Sequence, residues 1–264
     1  MMRTWCFGTP SRPPAPPDSP PPPLSPPLSP SACEIDGAFT FTGAANSYLT
    51  ATSATGLVGG GLGFTLSAWV YRTRSGNAWD RLIDFGVRAA TQNIVIAFQH
   101  GMAYHVYHGS KSTGLRVNTP SFPVNTWTHV ALVQSRGSAD DTTGPIKIYW
   151  DGIERASGTL FFPLDVARSK LYVGKSHWGD PMFTGSMRDF FIWDVALSET
   201  ELELVRLGGR LPATQPEPLV QMMRTCVLSC DPKAGIGCPL GTTCFCKADP
   251  GVNTTTAIDA LVER

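Results

Sequence analysis

From Glu34 to Leu207 the sequence alternates apolar and polar residues in short runs parted by glycine turns, with no cysteine among them. Phe64-Thr-Leu-Ser-Ala-Trp-Val-Tyr71 is the clearest run. Phe64, Leu66, Ala68 and Val70 share one face, and Thr65, Ser67, Trp69 and Tyr71 share the other. A period of two is what a pleated strand with one buried face requires. Asn93 to Phe98, Met102 to Tyr107, Thr126 to Val133, Ile146 to Trp150, Ile153 to Ala156, Lys170 to Val173 and Met187 to Asp194 read as further strands. Asp151-Gly152 between two such runs marks a hairpin, because both central residues of its turn need positive φ. Many short strands with almost no helical periodicity predict an all-β, antiparallel two-sheet sandwich. About 170 residues bury enough surface to be stable without disulfides.

The flanks differ in kind. Between Pro10 and Pro30, twelve of twenty-one residues are proline. Proline lacks an N–H and fixes φ, so residues 1–33 are expected to form a polyproline II stalk. Its plain role is a spacer, and its sharper one a ligand for SH3-like or WW-like grooves. A second proline-punctuated linker, residues 210–225, precedes Cys226, Cys230, Cys238, Cys244 and Cys246. These spacings lack the paired C-x2-C of zinc ribbons and no histidine lies near, so residues 226–264 are expected to be a disulfide-stapled tail rather than a metal knot. Five is odd, so one partner comes from Cys6, Cys33 or another chain. Disulfides imply an oxidising, extracellular setting, which the single N-glycosylation sequon at Asn253 fits. Residues Met1 to Pro10 show no apolar signal segment, and Met222-Met-Arg-Thr-Cys226 nearly repeats the start of the chain, so the sequence reads as part of a longer one.

Charge removes several functions. Twenty-one Lys and Arg balance twenty-one Asp and Glu. A nucleic-acid binder needs a basic surface to displace counterions from phosphate, and a polybasic membrane-surface protein needs one as well. No apolar run reaches the ~18 residues of a membrane-spanning helix.

Several segments resemble one family. Phe41-Thr-Gly43 before Tyr48, then Phe64-Thr-Leu-Ser-Ala-Trp-Val70, are similar to the opening of laminin-G-like, concanavalin A-type jelly rolls. Asn125-Thr-Trp-Thr-His-Val-Ala131 resembles their central strand, and Tyr149-Trp-Asp-Gly152 their hairpin. Phe183 to Ser198, followed by Leu207-Gly-Gly209, resembles the closing segment of pentraxins. The resemblance covers about residues 38–209 and implies one jelly-roll domain, residues 34–209. The proline stalk resembles the cell-wall glycoproteins of plants and green algae.

The resemblance also implies calcium, held by two loops. The matching positions are Gln92 and Asn93, then Ser176, His177 and Trp178, with Asp180 the only negative charge nearby. Calcium takes six to eight hard oxygens, several of them anionic, so this set is too poor for a paired site. A single structural calcium on Asp189 and backbone carbonyls is the one metal site left, and no other cofactor is expected.

Glu199, Glu201 and Glu203 would share one face of a strand, as paired glycosidase carboxylates do. Ser198 with Glu201 is instead a capping box, and Leu202, Val205 and Leu207 suit a short helix, where residues two apart diverge. No catalytic residue is therefore assigned. His129 belongs to a buried or half-buried strand; His100, His105 and His108 have no Cys or carboxylate at ligand spacing. Gly59-Gly-Gly-Leu-Gly63 is expected to be a flexible loop.

Trp79 and Trp178 lie in polar, glycine-bearing segments expected to be loops. An indole there offers a flat surface to a sugar ring, with Gln92, Asn93, His177 and Asp180 to read its hydroxyls. The chain is thus expected to be an extracellular or cell-wall adhesion module, not an enzyme, whose partner is a glycan or extracellular glycoprotein. The alternatives are a structural matrix component, or an accessory module of a larger secreted enzyme.

Overall fold

A computed structural model describes residues 38–53, 58–209, 211–212, 220–221 and 246–247. The proline stalk, the sequon at Asn253 and Cys226, Cys230, Cys238 and Cys244 lie outside the described residues. Fourteen strands and one helix are found among the described residues. They are β1 Phe39–Thr42, β2 Leu49–Ser53, β3 Gly63–Arg72, β4 Asn77–Gly86, β5 Ile94–Gln99, β6 Met102–His108, β7 Lys111–Val117, β8 Trp127–Ser135, β9 Thr143–Trp150, β10 Ile153–Phe161, β11 Arg168–Val173, β12 Thr184–Trp193, α1 Glu199–Arg206, β13 Val220–Gln221 and β14 Cys246–Lys247. One sheet runs β1-β12-β3-β8-β9-β10, with β13 on β12; the other runs β14-β2-β11-β4-β5-β6-β7. The strand pairs are antiparallel. The architecture is a two-sheet jelly-roll sandwich.

Alternation decides which residues meet between the sheets. Phe64, Leu66, Ala68 and Val70 of β3 join Ile94, Ile96 and Phe98 of β5 and Met102, Tyr104 and Val106 of β6 in a single core. Apolar surface removed from water, at ~25 cal/mol per Å², drives this packing. The β9–β10 hairpin turns at Asp151 (φ 51°) and Gly152 (φ 77°). Helix α1 begins with the expected capping box: Ser198 Oγ accepts the Glu201 N–H at 3.3 Å, and Glu201 Oε2 accepts the Ser198 N–H at 2.7 Å. Its Leu202 packs with Ala131, Tyr149, Trp193 and Leu197 on the outer side of the first sheet.

Strands β1, β2, β4 and β7 were not apparent from alternation. Strand β7 (KSTGLRV) is a largely exposed edge strand with little apolar demand. Strand β4 carries two register shifts, which erase its period of two. The Gly59–Gly63 segment corrects another expectation. A Cβ at Gly59 would meet the Pro163 and Leu164 backbone at 2.5 to 2.6 Å, and one at Gly61 the Asp194 carbonyl at 2.6 Å. Arg136 donates to the carbonyls of Gly59 (2.9 Å) and Gly61 (3.1 Å). The glycines allow close packing rather than mobility.

Candidate functional site

The outer side of the second sheet has a floor of small residues. Val95 and Ala97 of β5 and Ala103 of β6 point away from the core that their neighbours fill. Larger side chains rise around them and enclose a hollow of about 170 Å³, lined by Trp79, Arg81, Val95, His105, Tyr107, Trp178 and Asp180.

Trp79 reaches the hollow from β4, not from a loop. The register between β4 and β5 shifts between Asn77 and Asp80, and Trp79 takes a left-handed φ of 56° there. A bulge re-aims side chains, and this one turns Trp79 toward the outer face. Its neighbour Asp80 anchors the bulge from inside, accepting Arg72 Nη2 at 2.6 Å and Nε at 3.1 Å; both side chains are wholly buried. Trp178 comes from the β11–β12 loop. Its backbone N–H donates to Ser176 Oγ at 3.0 Å, and Ser176 Oγ donates to Asp180 Oδ2 at 2.9 Å.

Arg81 ties the two tryptophans together. Its guanidinium lies over the Trp79 ring at 5.7 Å and the Trp178 ring at 5.5 Å. It donates to Asp180 Oδ2 at 2.6 Å and to the Trp79 carbonyl. Trp178 also lies 5.7 Å from Tyr107, and Trp79 lies 5.9 Å from His105. Each cation–π or aromatic contact contributes ~0.5–1.5 kcal/mol, so several together hold the rings in place before any ligand arrives.

Behind this layer sits Asp84, fully buried. Its Oδ1 accepts Asn93 Nδ2–H at 2.8 Å and its Oδ2 accepts the His177 N–H at 2.9 Å. The His177 ring Nδ1 is 2.9 Å from Oδ1 without hydrogen-bond alignment, and Arg81 Nε is 3.7 Å from Oδ2. Asp84 thus faces donors from three segments. A calcium ion would meet N–H groups and a guanidinium there, which do not fit it. Asp189 lies in the β12 bulge at φ 50°, 7% exposed. Among the described residues no three His, Cys, Asp or Glu side chains gather as a metal needs.

Burial, aided by the charges of Arg116 and Arg81, lowers the pKa of His105 to about 4, so the imidazole is neutral near pH 7. Its Nε2 is buried without a hydrogen-bond partner. Gly114 on β7 makes room for the ring: a Cβ there would sit 2.4 Å from His105 Nδ1 and Cε1.

Of the six residues singled out in the sequence, Trp79, Trp178 and Asp180 meet at the hollow. Asn93 and His177 do not line it; both are buried behind it on Asp84. Gln92 does not line it either, and its carbonyl accepts Arg168 Nε at 2.9 Å. Arg81, His105, Tyr107 and Asp84 were missed. His105 and Tyr107 were legible, since alternation along β6 places them opposite Met102, Tyr104 and Val106. Arg81 and Asp84 had no signal, because the β4 bulges break the period. Glu199, Glu201 and Glu203 each serve helix α1 or its surroundings. Glu199 accepts from Lys147 (3.1 Å) and Tyr149 (3.0 Å), and Glu203 from Arg206 at 2.6 and 2.7 Å.

Residues 42–203, more than half of the chain, match the Laminin_G_3 family model, described as the concanavalin A-like lectin/glucanases superfamily. No curated protein matches the sequence. Similar solved structures include domain 4 of AbnA, an extracellular arabinanase from Geobacillus stearothermophilus, in complex with arabinotriose; it is 23% identical, with a TM-score of 0.48 over 63% of this chain and 74% of that one. A heptameric pentraxin from Limulus polyphemus is 14% identical, with a TM-score of 0.45 over 66% and 84%. The CBM40 domain of a Ruminococcus gnavus sialidase, bound to α2,3-sialyllactose, is 17% identical, with a TM-score of 0.43 over 57% and 84%. These are likenesses of fold.

Proposed function

The chain belongs to the concanavalin A-like lectin/glucanases superfamily, and we propose that it is a non-catalytic, extracellular glycan-binding module that receives a saccharide in the hollow between Trp79 and Trp178. The observation that supports this is the convergence of Trp79, Trp178 and Tyr107 around Arg81 and Asp180, over Val95 of β5. Sugar rings pack their C–H faces on indole and phenol rings, and fixed polar groups at the rim set orientation. Arg81 is paired with Asp180 at 2.6 Å, so the charge at the centre of the hollow is balanced and its aromatic walls suit a neutral sugar, while the exposed Arg116 guanidinium lies on the Trp79 ring at 5.3 Å at the rim. His105, neutral near pH 7, adds a hydroxyl partner. The extracellular setting is supported by the cysteine-rich tail and the Asn253 sequon.

Glycan-array binding of the full chain, followed by calorimetry with the best neutral oligosaccharide, tests the reading. Removing an aromatic platform from the centre of a contact costs ~2 kcal/mol or more, some thirtyfold in affinity. Trp178→Ala is therefore expected to lose most binding, and EDTA to leave wild-type binding unchanged. Wild-type affinity in Trp178→Ala, or loss of binding on adding EDTA alone, refutes this site.

A further inference from the structure

The outer side of the other sheet is only half covered. Helix α1 shields Ala131, Tyr149 and Trp193. Beyond it lie two cross-strand rows; no element of the described residues covers the first or the Arg188 and Trp69 end of the second, while His129, at the second row's inner end, is buried beside α1. One row runs Thr40, Ser186, Tyr71, Trp127 across β1, β12, β3 and β8; the next runs Arg188, Trp69, His129 across β12, β3 and β8. Tyr71, Trp127, Trp69 and Arg188 are half-buried, neither sunk in the core nor fully in water.

Their geometry parallels the hollow on the opposite sheet in one respect and departs from it in another. The Arg188 guanidinium lies over the Trp69 ring at 5.3 Å and the Trp127 ring at 4.9 Å, as Arg81 lies over Trp79 and Trp178. Tyr71 lies 5.6 Å from Trp127, and Trp69 lies 5.4 Å from His129. Arg81, however, has Asp180 and Asp84 within ion-pair distance, whereas none of the ion pairs among the described residues involves Arg188. Its Nε is buried without an acceptor. Of the nearby carboxylates, Asp151 Oδ1 accepts the His129 backbone N–H at 2.8 Å, and Asp189, next in the chain, is 7% exposed on left-handed backbone. A half-buried cation that forms no ion pair among the described residues favours an anionic partner.

We infer that this face is a second binding surface, distinct from the hollow, for a saccharide that carries a carboxylate: a uronic-acid oligosaccharide. Trp69, Tyr71 and Trp127 present rings to the sugar faces, and the Thr40 and Ser186 hydroxyls, 3.3 Å apart at the open end of the first row, meet ring hydroxyls. Arg188 takes the carboxylate. The guanidinium lies over both indole rings, and a planar carboxylate can meet its N–H edge with two parallel hydrogen bonds.

Titration of the full chain with tetragalacturonate, with its fully methyl-esterified form and with a hexaglutamate peptide tests this, read by calorimetry and by the indole N–H resonances. Tetragalacturonate is expected to shift the indole signals of Trp69 and Trp127 and not those of Trp79 and Trp178, and to bind more weakly as salt is raised. Arg188→Gln is expected to weaken it by about tenfold to hundredfold, the loss of one charge-assisted pair. Trp178→Ala is expected to leave it unchanged, which separates this surface from the hollow. The wild-type resonance shifts decide the location even if Arg188→Gln folds poorly. No binding of tetragalacturonate, equal affinity for the ester, equal affinity for hexaglutamate, or shifts confined to Trp79 and Trp178 would each overturn the inference.

Discussion

Asp84→Asn probes the part of the site that no ligand touches. The wild-type carboxylate is fully buried and takes hydrogen bonds from Asn93 Nδ2–H and the His177 N–H, with Arg81 Nε 3.7 Å away. The variant keeps the volume and one acceptor oxygen. Its new amide group, though, must face either the Asn93 amide or the His177 N–H, donor against donor. Breaking a buried charged set by removing one partner costs ~3–5 kcal/mol. Arg81 retains Asp180, and one acceptor survives, so the loss here is reduced to ~2–3 kcal/mol. For a domain of this size each kcal/mol lowers Tm by ~2–4 °C, which places the expected fall between roughly 4 and 12 °C. Differential scanning calorimetry at pH 7 reads it directly. Because the His177 N–H is the link to the Trp178 loop, saccharide affinity at the hollow is expected to fall as well, measured by calorimetry below the melting range. A variant that melts with the wild type, or one that melts early yet binds normally, shows that Asp84 does not organise this site.

Other outcomes follow from the same geometry. Gly114→Ala puts a Cβ 2.4 Å from the His105 ring, and overpacking of this kind costs ~1–3 kcal/mol; chemical denaturation should register the loss and binding at the hollow should weaken, whereas unchanged stability would mean the ring moves freely aside. His105 and His129 both have their pKa lowered to about 4, each mainly by burial, aided by Arg116 at the first and Arg206 at the second. The unfolded chain, with histidines near 6.5, then binds more protons than the folded one between pH 6.5 and 4, so stability is full above that window and falls as pH drops through it. Melting temperatures stepped across those pH values, with histidine proton shifts followed by NMR, check this; a flat profile would contradict it.

Strand periodicity alone was enough to place Phe64, Leu66, Ala68 and Val70 in a core and Trp69 and Tyr71 outside it, because a pleat sends successive side chains to opposite faces whatever their neighbours are. Asp151-Gly152 fixed its hairpin for an equally local reason, and Ser198 with Glu201 fixed the start of α1, turning the Glu199–Glu203 carboxylates into helix residues before any contact was seen. Local rules suffice where the determining interaction spans four residues or fewer. They stop at β4. Its bulges place Trp79, Arg81 and Asp84 on the outer face by means of Arg72 and Asp80 beneath them, contacts that alternation does not encode. The hollow itself joins β4, β6 and the β11–β12 loop, segments as far apart as Arg81 and Asp180, which are 99 positions apart and 2.6 Å away in space. Tryptophan in a polar segment was visible as a type of residue. Which tryptophans meet, and whether the arginine between them forms an ion pair, as Arg81 does with Asp180 and as Arg188 does not among the described residues, was set by strand order, because only the folded sheet brings the β11–β12 loop with its carboxylate against β4.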